Sequence, residues 1–124
     1  MDNNIVKLTE LSSISHTGAV KNDLGKLRYD LVPINALEEL TKVLTFGAKK
    51  YADRNWEKGF EWGVVYAALM RHITAWWRGE DIDPESGLSH LSHAMCNIAF
   101  LIEFLNTHPE MDNRPKQIKE KQNV

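Results

Sequence analysis

Apolar residues recur along three segments at the spacing of a helix with one buried face. These segments run from about Pro33 to Tyr51, from about Glu61 to Arg78 and from about Gly87 to Asn106. Each has an apolar residue every three or four positions, which is the helical period. No segment shows the sustained apolar–polar alternation of a half-buried strand. The pattern predicts an all-α protein, a small antiparallel helical bundle with short connections.

Local signals mark the ends of the predicted helices. Pro33 suits the first turn of a helix, and Gly79 fits the position just past a helix end. Asp83 and Ser86 are candidate N-caps for the third helix. Pro109 ends that helix, and the polar stretch from Tyr51 to Gly59 is predicted to be a loop.

The remaining segments divide the chain into three parts. Residues 1–21 are predicted to be a flexible polar arm, residues 22–108 a helical domain, and residues 109–124 a loose tail. Three broad apolar faces are many for one small bundle. In addition, the adjacent Trp76 and Trp77 cannot face the same neighbour. We therefore expect a homo-oligomer, a dimer or a tetramer, formed through helix faces.

Length, charge and cysteine content limit the size, the partners and the covalent cross-links that the protein can have. The chain of 124 residues fits one domain, and its net charge of −2 argues weakly against nucleic acid or a membrane surface as partner. No apolar run suits a signal core or a membrane span, so we expect a soluble cytoplasmic protein. Cys96 stands alone, which excludes an intrachain disulfide and favours a small core residue.

The stretch from Arg71 to His93 holds the densest set of groups that can carry chemistry. His90 and His93 lie three apart on the predicted third helix and share one side of it. An isolated pair of this kind more often hydrogen-bonds at the edge of a core. Here four carboxylates precede it, among them Asp83, which makes a divalent-cation site plausible. Acids before a helix also simply stabilise its dipole.

The first two helices offer further candidates. Glu39 lies near the edge of the apolar stripe of the first helix, and Lys50 falls on the same side three turns along. Together they could serve a metal and a phosphate, or form an exposed pair. His72 flanks the apolar face of the second helix. Arg71 points away from that face, towards a phosphate, a neighbouring subunit or a surface acid.

A short charged run precedes the first helix. It contains Lys26 and Arg28, which suit phosphate as a point charge and a fork respectively. Most such runs are only surface, and the spacing of a P-loop is absent. The sequence has no Gly-x-Ser-x-Gly nucleophile elbow, and one cysteine excludes a zinc finger or ribbon. It also has no His-Asp dipeptide, so it does not match the helical phosphohydrolases built on that pair.

Five segments together resemble a known family. They are Lys21–Leu31 (KNDLGKLRYDL), Phe46–Tyr51 (FGAKKY), Arg54–Trp56 (RNW), Arg71–His72 and Asp83–His90 (DPESGLSH). They are similar to the phage and prophage dATP/dGTP diphosphohydrolases, which are grouped with the MazG-like all-α nucleoside triphosphate pyrophosphohydrolases. The resemblance covers about residues 21–104, and it implies that the cytoplasm is that of a bacterial or phage-infected host cell.

The resemblance implies hydrolysis of purine deoxynucleoside triphosphates to the monophosphate and pyrophosphate, with Mg²⁺ or Mn²⁺ as cofactor. It thus implies an enzyme whose partner is a nucleoside triphosphate, with a cation that neutralises phosphate charge and activates a water. We assign catalytic roles to Glu39 and His72. The predicted metal ligands are Glu39, Asp83, His90 and His93. The predicted substrate-binding residues are Lys26, Arg28, Lys50, Asn55, Trp56 and Arg71, with the base stacking on Trp56 or on Tyr51.

One departure from the wider superfamily bears on the metal. That superfamily carries Glu-x-x-Glu on one helix and Glu-x-x-Asp on a later one. Here Lys42 follows Glu39 at the matching spacing, and His90 and His93 stand where the later acids are expected. Either imidazoles replace carboxylates, or the acidic loop supplies the ligands, or catalysis is lost. Histidine ligands predict a preference for Mn²⁺ over Mg²⁺. The alternative function is a non-catalytic nucleotide-binding or protein-interaction module.

Overall fold

The structure is a computed structural model that describes residues 15–116. Residues 1–14 of the predicted arm and residues 117–124 of the predicted tail lie outside the described residues. Contacts divide the chain into two compact units, one up to Val32 and one from Pro33 onwards. The described part of the first unit contains a 3-10 helix at Tyr29–Leu31.

The described part of the second unit, residues 33–116, contains three α-helices, which confirms the all-α prediction. They are α1 (Ile34–Lys50), α2 (Trp62–Trp77) and α3 (His90–Thr107). Short 3-10 helices occupy Asn55–Lys58 and Pro109–Met111. Apart from an isolated antiparallel bridge in the loop between α2 and α3, residues 15–116 contain no β-pairing. None of the helices in this range combines the length and the hydropathy that crossing a bilayer requires.

The predicted start of the third helix at Gly87 is wrong. Gly87 has a φ of +73°, a left-handed conformation outside the helical region, so α3 begins at His90. Its cap is Ser89, whose side-chain oxygen accepts a hydrogen bond from the backbone N–H of Leu91. The expected caps, Ser86 and Asp83, do not cap the helix; the Ser86 hydroxyl donates to the Asp83 carboxylate instead.

Helix α3 holds the second unit together because it packs against both α1 and α2. The pair α2 and α3 is antiparallel, since the end of α2 lies beside the start of α3 and Trp62 at the start of α2 reaches His108. Their far end contains the apolar core of Trp62, Val65 and Phe104. Met111, within the segment predicted to be a loose tail, packs against this core.

The two halves of α3 therefore differ in character. The second half carries Phe104, which is fully buried, and Phe100, which stacks on Trp56. The first half carries the buried polar residues His90 and Ser92. Buried polar groups need partners within the protein, and one partner of His90 is His72, which lines the candidate site.

Candidate functional site

A cavity of about 890 Å³ opens between the three helices and their connecting loops. Most of the residues predicted to form the site line it. The wall includes Lys50, Asn55, Trp56, Arg71, His72, Asp83, His90 and His93. The cavity thus brings together residues from α1, α2, α3 and both loops. Its size falls within the range typical of small-molecule sites.

Three side chains in this wall form a candidate metal centre. His72, Asp83 and His93 each offer one ligand atom, and these atoms all lie within 4.8 Å of one another. The rings of His72 and His93 are parallel, with centroids 4.5 Å apart and an interplanar angle of 6°. Nε2 of His93 lies 3.3 Å from Oδ2 of Asp83. Ligands about 2.0–2.2 Å from a common ion lie roughly 3 Å apart, so small rotations would close this group on a cation.

The donor set fits a divalent transition metal. Two imidazoles and one carboxylate are the ligands of the facial triads that bind such metals and leave positions open for water or substrate. Magnesium prefers oxygen donors, so the same set suits Mn²⁺, Fe²⁺ or Zn²⁺ better than Mg²⁺.

The protonation states also suit a cation. Burial lowers the pKa of His72, and the neighbouring His93 lowers it further. Burial likewise lowers the pKa of His93. For Asp83, burial acts to raise the pKa, but hydrogen bonds from the Glu85 N–H and the Ser86 hydroxyl outweigh it, so the pKa is lowered. Neutral imidazoles and an ionised carboxylate are the forms that bind metal.

The loop before α3 fixes the carboxylate of Asp83. Its Oδ1 accepts from the N–H of Glu85 at 3.2 Å, and its Oδ2 accepts from the hydroxyl of Ser86 at 3.1 Å. The same hydroxyl oxygen lies 2.6 Å from Nε2 of His93 and accepts from the N–H of Leu88 at 3.1 Å. Ser86 therefore joins the loop to the first turns of α3 and holds Asp83 beside His93.

His90 lies next to this group but not in it. Its Nδ1 is 2.9 Å from Nδ1 of His72, and its Nε2 is 2.6 Å from Oε1 of Glu80. Both ring nitrogens therefore already have partners in the protein. His90 was predicted to be a metal ligand; the structure places it behind His72, as a neighbour of the three candidate ligands.

Cationic and aromatic groups also line the cavity. Lys50 pairs with Glu85 and lies 5.3 Å from the ring centroid of Tyr51. Arg71 is exposed at the cavity wall. Trp56 is half-buried and stacks on Phe100 with centroids 5.0 Å apart, so one face of its indole is already covered. The exposed Tyr51 is the freer of the two rings predicted to stack on a base.

The structure does not bring Glu39 into this cavity. Its Oε1 accepts from Lys42 at 3.0 Å and its Oε2 accepts from the hydroxyl of Ser92 at 2.9 Å. It lines a second, smaller cavity of about 470 Å³, which contains neither His72 nor Asp83. The side chain of Lys42 lowers the pKa of Glu39, so this carboxylate is ionised and paired. The catalytic and metal roles of Glu39 stay predictions that this geometry does not support.

Lys26 and Arg28 belong to the first unit, and their role in substrate binding also stays a prediction. The guanidinium of Arg28 holds Asp30 in a bidentate pair, Nε to Oδ1 at 2.9 Å and a terminal nitrogen to Oδ2 at 2.7 Å. Both side chains are exposed. A phosphate that binds Arg28 would have to compete with this carboxylate.

Two contributors were not identified from the sequence in the roles that the structure gives them. Glu80 was one of four acids in a loop, with nothing to single it out as the partner of His90. Ser86 was read as a helix cap, whereas its hydroxyl joins Asp83 to His93. Both roles depend on contacts within the irregular loop before α3. Sequence spacing does not predict such contacts, because the loop has no regular period.

Comparison with known proteins identifies the family of the chain. Residues 16–114 match the family model described as "dATP/dGTP diphosphohydrolase, N-terminal". The chain is 34% identical over 95 residues to a dATP/dGTP diphosphohydrolase of Salmonella phage PMBT28. That match covers 77% of this chain but only 32% of the relative, so the chain spans about a third of the relative's length. No solved structure matches the chain. The protein belongs to the dATP/dGTP diphosphohydrolase family, and its match lies in that family's N-terminal region.

Proposed function

We propose that the chain hydrolyses purine deoxynucleoside triphosphates, dATP and dGTP, to the nucleoside monophosphate and pyrophosphate, with a divalent cation held by His72, Asp83 and His93. One observation carries the proposal. A single cavity contains the three candidate ligands and also the cationic side chains of Lys50 and Arg71. A triphosphate needs both kinds of group within one site. Membership of the family supports the choice of substrate.

A cation bound by these ligands would neutralise phosphate charge and lower the pKa of a bound water. The chain's own part is to hold two neutral imidazoles and one ionised carboxylate towards a common point. The nitrogen ligands favour Mn²⁺ over Mg²⁺, so we expect higher activity with Mn²⁺ at equal concentration. Equal or higher activity with Mg²⁺ would contradict ligation by His72 and His93.

In this proposal Lys50 and Arg71 bind the triphosphate oxygens. Lys50 pairs with Glu85 in the structure. A phosphate that attracts Lys50 would release Glu85, whose carboxylate could then take a proton from the attacking water. Water adds to the α-phosphorus, the bond from that phosphorus to the bridging oxygen breaks, and pyrophosphate leaves.

The asparagine and the aromatic rings of the wall would recognise the nucleoside. Asn55 offers an amide donor and an acceptor to a base edge. Tyr51 and the free part of Trp56 offer surfaces on which a purine can stack.

The central test compares two carboxylates of the same loop. Asp83→Asn keeps the shape and an acceptor oxygen but removes the charge that the cation needs. Asp81→Asn removes a charge two residues away, from an exposed side chain outside the cavity wall. With Mn²⁺ and each dNTP, we expect Asp83→Asn to lose about 100-fold or more of the pyrophosphate release, roughly 2.7 kcal/mol. Asp81→Asn should keep the activity of the wild type.

Other outcomes separate the alternatives. Nucleotide binding without any turnover would favour the non-catalytic module. Release of inorganic triphosphate or of single phosphates would contradict the proposed products. Equal activity of Asp83→Asn and wild type would show that the metal centre lies elsewhere.

We also propose that the chain forms a homo-oligomer through α3. Ile98, Ile102 and Leu105 follow one another at helical spacing on this helix and are 47%, 58% and 56% exposed. A contiguous apolar strip of this kind on a small protein is typical of an interface. Light scattering should give a multiple of the 14.2 kDa chain mass, and Ile102→Glu should reduce it. A monomeric wild type would overturn the proposal.

A further inference from the structure

We propose that Glu80 and His90 act as a positioning pair that fixes the tautomer of His72 and turns its Nε2 towards the metal centre. This inference rests on the proposed function, because it concerns the ligands proposed there. It gives His90, the most buried histidine at the site, a task different from metal binding.

The buried ring of His90 cannot rely on water. It is only 4% exposed, so each of its nitrogens needs a partner within the protein. Glu80 supplies one partner at 2.6 Å and His72 supplies the other at 2.9 Å. The three residues form a continuous hydrogen-bonded row from a half-exposed carboxylate to a candidate ligand.

The donors and acceptors in this row follow from the carboxylate. An ionised carboxylate only accepts, so Nε2 of His90 carries the hydrogen that faces Glu80. In a neutral ring Nδ1 of His90 then has the free lone pair. The two Nδ1 atoms share one hydrogen between them, and Nδ1 of His72 must provide it. The neutral ring of His72 therefore keeps its lone pair on Nε2, the nitrogen left for a metal.

The turn that carries Glu80 also anchors the backbone of His90. The N–H of Glu80 donates to the carbonyl of Ala75 at the end of α2, and the N–H of His90 donates to the carbonyl of Asp81 at 2.9 Å. Two consecutive residues of this turn therefore hold His90: Asp81 binds its backbone N–H and Glu80 binds its ring. This two-point attachment explains why the ring faces His72 rather than the solvent.

The matched variants are Glu80→Gln and Asp81→Asn. The amide of Glu80→Gln offers an NH₂ as well as an oxygen to Nε2 of His90, so the direction of the row is no longer fixed. Asp81→Asn removes the same charge one residue away and leaves the row intact. Neither side chain is buried, so both variants should fold, as thermal unfolding can verify.

The first measurement needs no metal. Nitrogen-15 NMR of the metal-free wild-type protein at neutral pH should show His72 protonated on Nδ1. The Glu80→Gln variant should show a mixture of both tautomers, whereas Asp81→Asn should match the wild type. A wild-type His72 protonated on Nε2, or a Glu80→Gln spectrum identical to that of the wild type, would overturn the pairing.

The second measurement is the affinity of the protein for Mn²⁺ without nucleotide. Electron paramagnetic resonance detects the free ion and so gives the bound fraction. Loss of a hydrogen-bond partner behind a metal ligand typically costs 10–100-fold in affinity. We expect a loss of about 10-fold for Glu80→Gln and none for Asp81→Asn. Mn²⁺ binding that Asp83→Asn abolishes and Glu80→Gln leaves unchanged would overturn the pairing but not the metal centre. A wild type that binds no metal would overturn the proposed function, while the spectrum of His72 would still decide the tautomer.

Discussion

At one end of the α2–α3 pair, His72 and His93 lie beside the carboxylate of Asp83, and at the other end His108 lies against the aromatic core. Both ring nitrogens of His108 face acceptors. Its Nε2 donates to the carbonyl of Glu57 at 2.7 Å, and its Nδ1 lies 3.0 Å from the carboxylate of Glu110. The Glu57 carbonyl, and then Glu110, raise the pKa of His108. Burial lowers the pKa of the two histidines at the opposite end.

The difference shows what makes a histidine structural or chemical in this fold. When both nitrogens face acceptors, the protonated ring is favoured, and a protonated ring has no lone pair for a cation. When burial keeps the ring neutral and one nitrogen lacks an acceptor, a lone pair remains. Residue type and burial alone do not separate the two cases; the identity of the partners does.

The largest expected effect is a loss of stability from a substitution in the aromatic core, with no change at the candidate metal centre. Phe104 is fully buried, so Phe104→Ala should cost about 3–5 kcal/mol in the free energy of unfolding. The affinity of the remaining folded protein for Mn²⁺ should stay that of the wild type, since Phe104 contacts none of the candidate ligands. Urea unfolding and the Mn²⁺ titration measure the two quantities. As a control, Asn106→Ala changes an exposed residue nearby and should alter neither the stability nor the Mn²⁺ affinity. A large drop in the Mn²⁺ affinity of Phe104→Ala would show that the two ends are coupled.

The two ends were not equally predictable from the sequence. Apolar periodicity predicts the three helices because burial of one face imposes a period of 3.6 residues. It locates the observed ends within about three residues, and the largest error falls at Gly87, whose left-handed backbone leaves no trace in the apolar pattern. The aromatic end needs little more than this pattern, since large apolar residues pack wherever two stripes meet.

The histidine end depends on contacts that no single helix determines. The spacing of His90 and His93 places both on one side of α3, but their different roles depend on which partner each meets from α2 and from the loop. For Glu39 the helical wheel gave a direction near the edge of the stripe. The wheel does not predict which cavity the side chain enters. The carboxylate of Glu39 lies in the smaller cavity with Lys42 and Ser92.

A smaller effect should follow from crowding the ring of His108. Gly59 has a φ of +89°, and a Cβ there would lie 2.8 Å from the ring of His108. Gly59→Ala should cost about 2–4 kcal/mol, because it adds displacement of a hydrogen-bonded ring to backbone strain. Gly79 has a φ of +102° with no atom within 4 Å of an added Cβ, so Gly79→Ala should cost only the strain, about 1–2 kcal/mol. Equal losses of stability for the two variants would mean that the ring moves aside freely.

The smallest effect is a pH dependence that should separate His108 from the other histidines. The folded pKa of His108 is raised above the unfolded value of about 6.5, so the folded state binds the extra proton. Its contribution to stability is fully present below about pH 6.5 and is lost as the pH rises through the folded pKa. His108→Gln cannot be protonated, so the melting temperature of the wild type should exceed that of the variant by more at pH 5.5 than at pH 8.5. His72 and His93 act in the opposite direction, since their lowered pKa values cost stability as the pH falls, but they are present in both proteins and cancel in the difference. A difference in melting temperature that does not change with pH would show that His108 acts by packing alone, and the contrast between the two ends would then lose its electrostatic basis.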